Sequence, residues 1–173
     1  MHGGSGAEAG VVPRAMEAIF ASKAGSEEED KSWKCDIRLS CLEIYQERIY
    51  DLLSTSSAST NVSSSDEMLR IRQHSNGDVW IEGCSEAVIE SCDDFNKLLS
   101  QALKKRSTAS HLMNMESSRS HFCVIVSLTQ QLSQSGKKKI SSKIHMIDLA
   151  GTNILDCLDA KSCNLRVYTI FNI

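Results

Sequence analysis

Apolar and polar positions divide the first third of the chain into one helical and one strand-like segment. Apolar side chains in residues 10–24 recur at helical spacing, and Pro13 stands where a helix would begin. The acidic and polar residues 25–32 are expected to end this helix. Residues 33–53 alternate between apolar and polar and then become nearly continuously apolar, which is typical of a buried strand.

Turn signals dominate the next part of the chain. Residues 54–67 are rich in serine and too polar to form a core, which predicts a loop. Residues 69–83 contain two short strand-like pieces on either side of Asn76 and Gly77. Because an Asn-Gly pair tolerates the positive φ of a tight turn, this segment predicts a small antiparallel hairpin.

A second helix and two further strands are predicted after the hairpin. Residues 91–106 have an apolar stripe at helical spacing, Ser91 as a potential cap, acidic residues at the start and basic residues at the end. Residues 121–132 and 140–151 are strand-like and are joined by the basic turn 133–139. Helices between apolar strands predict an α/β domain with a sheet covered on both faces.

Composition and charge narrow the classes of function. The chain has 173 residues, of which 41% are hydrophobic and 24% charged, as expected for one globular domain. The net charge is only -3, so no nucleic acid or anionic membrane partner is expected. No signal peptide and no membrane span of roughly 18 apolar residues is present, which predicts an intracellular protein. The seven cysteines contain no CxxC pair, which favours free buried thiols.

Two segments in the second half could carry phosphate chemistry. In residues 114–121, "NMESSRSH", serine hydroxyls and an arginine stand directly before a strand. Hydroxyls can ligate Mg²⁺ and donate hydrogen bonds to phosphate oxygens. In residues 144–151, "IHMIDLAG", a strand ends in Asp148, and Gly151 follows three residues later. Either segment alone is more often a polar loop or a turn at the end of a strand than a phosphate site.

Together and in this order, the two segments resemble switch I and switch II of a kinesin motor domain. "NMESSRSH" is similar to the N-x-x-S-S-R-S-H motif of that family, and "DLAG" is similar to its D-L-A-G-S-E. Three further stretches resemble kinesins in the right order: "GVVPRAMEAIF", "LEIYQERIYDLL" and "RSTASHLMN". The resemblance covers about residues 1–152 and leaves residues 153–173 as a divergent C-terminal tail.

The resemblance implies a fold, two cofactors and a set of roles. The fold would be a partial kinesin-type P-loop NTPase fold, α/β, with a mixed central sheet flanked by helices, and the cofactors would be ATP and Mg²⁺. Ser118 would ligate Mg²⁺, Asp148 would hold it through water, and Arg119 would latch the two switches together. The other residues that would position the terminal phosphate and the attacking water, or sense that phosphate, are Asn114, Ser117 and Gly151. His121, which ends the motif, is expected to be structural and to take no part in proton transfer.

The family resemblance also implies microtubules as the partner and a cytoplasmic, cytoskeleton-associated location. It places Arg48, and the hairpin with His74, toward tubulin. Residues 137–139 form a lysine cluster, but a basic hairpin turn is usually a solvated tip, and this interpretation is preferred here.

Two departures from the family pattern leave the activity open. No stretch of the chain matches G-x-x-x-x-G-K-[ST], whose amides and lysine would cradle the phosphates, and Asn153 replaces the switch II glutamate. Met1 is interpreted as an internal methionine of a longer ancestor. The first hypothesis is therefore a central piece of an ATP-hydrolysing microtubule motor that is not competent alone. The second is a non-enzymatic chain that binds tubulin or a partner motor weakly.

Overall fold

The computed structural model describes residues 3, 8–46, 48–54, 69–75, 77, 79–112, 119–132 and 138–150. Two helices and seven strands lie within these ranges. In chain order they are α1 (Val11–Glu29), β1 (Lys34–Tyr45), β2 (Arg48–Asp51), β3 (Arg70–Gln73), β4 (Val79–Glu82), β5 (Ala87–Val88), α2 (Cys92–Leu112), β6 (His121–Leu132) and β7 (Lys138–Asp148).

The strands form a main sheet and a separate hairpin. The main sheet has the order β2-β1-β6-β7, with β5 paired to β1 outside this path, and β3 pairs with β4 alone. All of these described pairings are antiparallel. β1 and β6, each 12 residues long, are the two inner strands of this order and form the centre of the sheet.

Both helices pack on one face of the main sheet. On this face β1 and β6 bury apolar side chains such as Leu39 and Val126, which are cross-strand partners. Met16 of α1 and Phe95 of α2 belong to the same core cluster and are at most 1% exposed. Each such side chain contributes roughly 1.5–3 kcal/mol on burial. Coverage of the opposite face by helices stays a prediction.

Two predictions in the first third of the chain were wrong in their boundaries. The first helix ends within the acidic stretch, as predicted, but it extends into that stretch as far as Glu29, where Lys23 pairs with Glu27 one turn later. It ends at Asp30, whose carboxylate accepts a hydrogen bond from the Ser32 amide at 2.8 Å. Residues 33–53 are also a hairpin and not one strand, since the chain reverses between Tyr45 and Arg48.

The predictions for the rest of the chain were mostly confirmed. The hairpin β3–β4, the second helix and the strand pair β6–β7 are all present. Helix α2, however, runs to Leu112, six residues beyond its predicted end at Arg106. Lys138 and Lys139 lie in β7 and not in a turn. The predicted serine-rich loop and the turn at 133–137 lie outside the described residues, apart from Ser54 at the start of the loop.

Candidate functional site

The two phosphate-binding segments predicted from the sequence are only partly described. Arg119, which is exposed, stands just before β6, and Asp148 is the last residue of β7. The other four candidates, Asn114, Ser117, Ser118 and Gly151, lie outside the described residues.

The described ends of these two segments meet at one edge of the main sheet. Because β6 and β7 are antiparallel, β6 begins where β7 ends, and Phe122 is the cross-strand partner of Asp148. Beyond this pair, the backbone amide of Ala150 donates a hydrogen bond to Nδ1 of His121 at 2.9 Å. The segment after β7 is therefore attached to the segment before β6. The expectation that His121 is structural agrees with this bond.

A buried polar cluster supports the same edge from the helix side of the sheet. Oε1 of Glu43, whose side chain is only 2% exposed, accepts a hydrogen bond from Nε of Arg106 at 3.2 Å and from Oγ of Ser120 at 2.6 Å. An Nη atom of Arg106 also donates to the backbone carbonyl of Ser120 at 3.2 Å and to its hydroxyl at 3.1 Å. The residue that follows Arg119 is thus fixed to β1 and α2 at once.

The Arg106 guanidinium also lies over the ring of Phe122, 5.3 Å from the ring centre. Phe122 is the cross-strand partner of both Glu43 and Asp148. Glu43, Phe122 and Asp148 therefore form one row across three strands, with Arg106 above its middle. A cation over an aromatic face is favourable and stronger when partly desolvated.

Sequence reasoning missed this cluster. The sequence predicts that Arg106, as one of the basic residues at the end of the second helix, interacts with the negative end of the helix dipole. Its side chain instead pairs with Glu43 of β1. One signal was available: Glu43 is a carboxylate within a nearly continuous apolar strand, and a buried charge requires a partner. Which of the many basic residues would serve as that partner was not visible from the sequence.

Asp51 anchors the segment after β2. Its carboxylate accepts hydrogen bonds from the amides of Leu53 at 2.8 Å, Ser54 at 3.1 Å and Ser85 at 2.7 Å. Nζ of Lys105 donates to the backbone carbonyls of Asp51 and Ser54, at 3.0 Å each. The last part of α2 is therefore attached to the β1–β2 hairpin by both Lys105 and Arg106.

The chemistry of Asp148 is suited to a hydrated cation. Its side chain is half-buried at the carboxyl end of a strand, and no partner of its carboxylate is found among the described residues. A carboxylate in this setting is a suitable ligand for Mg²⁺ or its bound water. Within the described residues, no cluster of three or more His, Cys, Asp or Glu side chains could hold a metal ion.

The candidate tubulin-binding residues lie in different sheets. Arg48 is exposed at the start of β2 in the main sheet, and His74 is exposed directly after β3. The His74 ring stacks on Trp80, with ring centres 5.8 Å apart. Arg72 pairs with Glu82 at 2.7 Å across the same hairpin, which offsets part of its positive charge.

The described cysteines are free, as predicted, and the deepest of them are poor nucleophiles. Burial raises the pKa of Cys41 to about 12 and that of Cys123 to about 11.

In the described part of the chain, neither helix combines the length and the apolar character needed to cross a membrane.

Comparison with known proteins identifies the family. The model of the kinesin motor domain family matches residues 1–163. Kinesin-related protein 7 of Dictyostelium discoideum is 34% identical over 145 residues, which cover 83% of this chain and 11% of that protein. The kinesin-like protein KIF22 of Danio rerio is 31% identical over 149 residues, which cover 86% of this chain and 22% of that protein.

A solved structure confirms the predicted fold class. The structure of a fast kinesin superimposes with a TM-score of 0.76 at 28% sequence identity, covering 93% of this chain and 43% of that one. The matched region thus spans a small part of the curated relatives and less than half of the solved chain.

Proposed function

Because the chain belongs to the kinesin motor domain family, we propose that residues 119–150 contribute the bases of the two switches of an ATP-driven microtubule motor. ATP and Mg²⁺ are the cofactors in this role, tubulin is the partner, and a cytoplasmic location on the cytoskeleton follows. The observation that supports it is the 2.9 Å hydrogen bond from Ala150 to His121, which joins the two motifs at one sheet edge.

The side chains at this edge have distinct tasks under the proposal. Mg²⁺, when bound, neutralises phosphate charge during an in-line displacement. Asp148 accepts hydrogen bonds from the water around the cation. Arg119 is the latch arginine, but Asn153 stands where the carboxylate that would close the latch is expected. Four residues outside the described ranges complete the site: Asn114, Ser117, Ser118 and Gly151. Catalysis then consists of positioning and charge stabilisation, and no side chain of this edge forms a covalent intermediate.

We further propose that the 173-residue chain alone binds Mg·ATP weakly and does not hydrolyse it. It contains no G-x-x-x-x-G-K-[ST] motif, and Asn153 stands in place of the switch II glutamate. Each charge-assisted hydrogen bond lost with such a loop is worth roughly 1.5–3 kcal/mol. Several such losses move the dissociation constant above roughly 10 μM, which corresponds to about 7 kcal/mol.

An NMR titration with Mg·ATP tests the assignment of the nucleotide edge. We expect a dissociation constant weaker than roughly 10 μM, with shifts centred on the amides of Arg119 and Asp148. Asp148→Ala should abolish these shifts. Asp36→Ala is the matched control, since Asp36 is an exposed aspartate that pairs with Thr129 at the far end of the sheet.

Either of two results would contradict these proposals. No shift at millimolar nucleotide would remove the nucleotide role of this edge. Tight binding that depends on Asp148 would show that the phosphate loop is dispensable.

The second hypothesis, a non-enzymatic tubulin-binding chain, is favoured by the absence of the phosphate loop. Microtubule co-sedimentation tests the tubulin-facing residues that both hypotheses share. Arg48→Glu and His74→Ala should each weaken binding, whereas Arg38→Glu, on an exposed residue of β1, should not. Equal binding by all variants would exclude Arg48 and His74 from the interface.

A further inference from the structure

We propose that His121 is a positioning residue that couples two loop bases, which are residues 119–121 at the start of β6 and residues 149–150 after β7. Its Nδ1 atom acts as the acceptor for the amide of Ala150. The proposal rests on the proposed function only in that these loop bases are assigned to the two switches. The 2.9 Å contact itself is a property of this chain.

The regular ladder between β6 and β7 stops before this contact. Its last pair is Phe122 with Asp148, so the two residues that follow β7 receive no partner from the ladder. Leu149 is already 42% exposed, but Ala150 is half-buried. A backbone amide removed from water needs an acceptor, and the imidazole provides it.

The backbone acceptor that is nearest in register is already engaged. Continuing the register by two residues would set Ser120 opposite Ala150. The Ser120 carbonyl instead accepts a hydrogen bond from Arg106 at 3.2 Å. The amide of Ala150 donates to the side chain of the adjacent His121, which adds one hydrogen bond beyond the end of the ladder.

This arrangement specifies the chemical state of the imidazole. Nδ1 can accept a hydrogen bond only if the ring is neutral and carries its proton on Nε2. The doubly protonated ring would present N–H donors on both sides and would face the amide of Ala150 with a like dipole. His121 is thus required as an acceptor, in agreement with its exclusion from proton transfer.

The mechanical consequence is that the two loop bases move together. Ala150 directly precedes Gly151 in the chain, and His121 lies two residues after Arg119. A displacement at the start of β6 changes the direction of the peptide group at Ala150 through one hydrogen bond. Without this bond, the segment after β7 would follow β7 alone.

The test uses the intact ¹⁵N-labelled chain without nucleotide or tubulin. Long-range ¹H–¹⁵N spectra at about pH 8 report which ring nitrogen of His121 carries the proton. We expect the Nε2-protonated form. Hydrogen exchange of the Ala150 amide is measured in the same samples.

Two substitutions distinguish an acceptor from a space-filling ring. His121→Asn places an amide oxygen near the position of Nδ1 and should retain most of the protection of Ala150. His121→Phe keeps a ring without an acceptor and should accelerate exchange roughly tenfold, as expected for one lost hydrogen bond. The amides of Val126 and Ile144, at the centre of the β6–β7 ladder, are the internal control and should not change.

An Nδ1-protonated ring in the unsubstituted chain would overturn the proposal, and so would equal exchange of Ala150 in all three proteins. The spectrum of the unsubstituted chain decides the matter even if the Phe variant fails to fold. Because no nucleotide is present, failure here is independent of the Mg·ATP titration that tests the proposed function.

Discussion

Glu43 and Arg106 are 63 residues apart in the sequence and form an ion pair of 3.2 Å in the folded chain. Both side chains are largely removed from water, with exposed fractions of 2% and 14%. Burying two charges is costly, and the hydroxyl and carbonyl of Ser120 offset part of this cost by completing the hydrogen bonds. The pair therefore fixes α2 to the sheet at the base of the first candidate loop.

Removing the arginine should destabilise the fold strongly. Arg106→Ala leaves the Glu43 carboxylate buried without its cation, which typically costs 3–5 kcal/mol, so we expect a loss of about that size in urea unfolding. Arg106→Lys should lose less, because it keeps the charge but not the forked geometry. Lys104→Ala, at an exposed position of the same helix, is the control and should change stability by less than about 0.5 kcal/mol. A loss below about 1 kcal/mol for Arg106→Ala would contradict the interpretation.

Asp51 should be needed for the connection between the β1–β2 hairpin and Ser85. Asp51→Ala removes the common acceptor of three backbone amides, and we expect a loss of about 2–3 kcal/mol in unfolding free energy. Asp51→Asn keeps one acceptor oxygen and should fall between this variant and the original chain. If Asp51→Ala and Asp51→Asn left the unfolding free energy equally unchanged, water would have to satisfy the three amides, and Asp51 would not be needed for this connection.

The cap of α2 should contribute a smaller, pH-dependent amount. The Ser91 hydroxyl accepts the Asp94 amide at 3.1 Å and donates to the Asp94 carboxylate at 2.9 Å. Ser91→Ala should cost about 1 kcal/mol, whereas Ser100→Ala, on an exposed position of the same helix, should cost almost nothing.

The hydrogen bond from Ser91 also holds the pKa of Asp94 below its ordinary value of 3.8. Because the pKa of Asp94 is lower in the folded chain, its carboxylate stabilises the fold at pH values above the pKa of the unfolded state. This contribution is lost as the pH falls through the pKa of the folded state. NMR titration should therefore show the Asp94 pKa rising toward its ordinary value in Ser91→Ala. An unchanged pKa would argue against the cap.

Stability should decrease at alkaline pH because of the buried thiols. The pKa of Cys41 rises from 9.0 to about 12 on folding, so the unfolded chain loses this proton first. The contribution of this thiol to stability is then constant below pH 9.0 and falls from there toward pH 12, by up to about 1.4 kcal/mol per pH unit. Urea unfolding between pH 8 and pH 10.5 measures this slope, which should be shallower in Cys41→Ala. A slope that is the same in both proteins would assign the pH dependence to other groups.

Local patterns were sufficient where the cause of the structure is local. The Ser91 cap and the acidic first turn marked the beginning of α2 correctly, and Asn76–Gly77 marked the β3–β4 hairpin. The predicted boundaries were wrong where a tertiary contact extends a helix beyond its local end signal. Helix α2 continues past Arg106 although its basic residues resemble a helix end, since Lys105 and Arg106 are held by Asp51, Ser54, Glu43 and Ser120.

The residues of the candidate site were predicted from sequence motifs, and their arrangement in space came from the structure. The sequence identified Arg119 and Asp148 as parts of two motifs joined by one predicted hairpin, but it did not set the register of the two strands. In the structure, the antiparallel register of β6 and β7 places Phe122 opposite Asp148. The predictions for Asn114, Ser117, Ser118 and Gly151 stay predictions.

The sequence by itself determined the family, the α/β class and the order of most elements, because apolar periodicity, turn residues and ordered motifs are properties of neighbouring positions. Only the tertiary structure decided that Glu43 pairs with Arg106 and that His121 accepts the amide of Ala150. Such partners are selected by the register of long-range strand pairs and by the cost of leaving a buried polar group unpaired, and both depend on residues far apart in the chain.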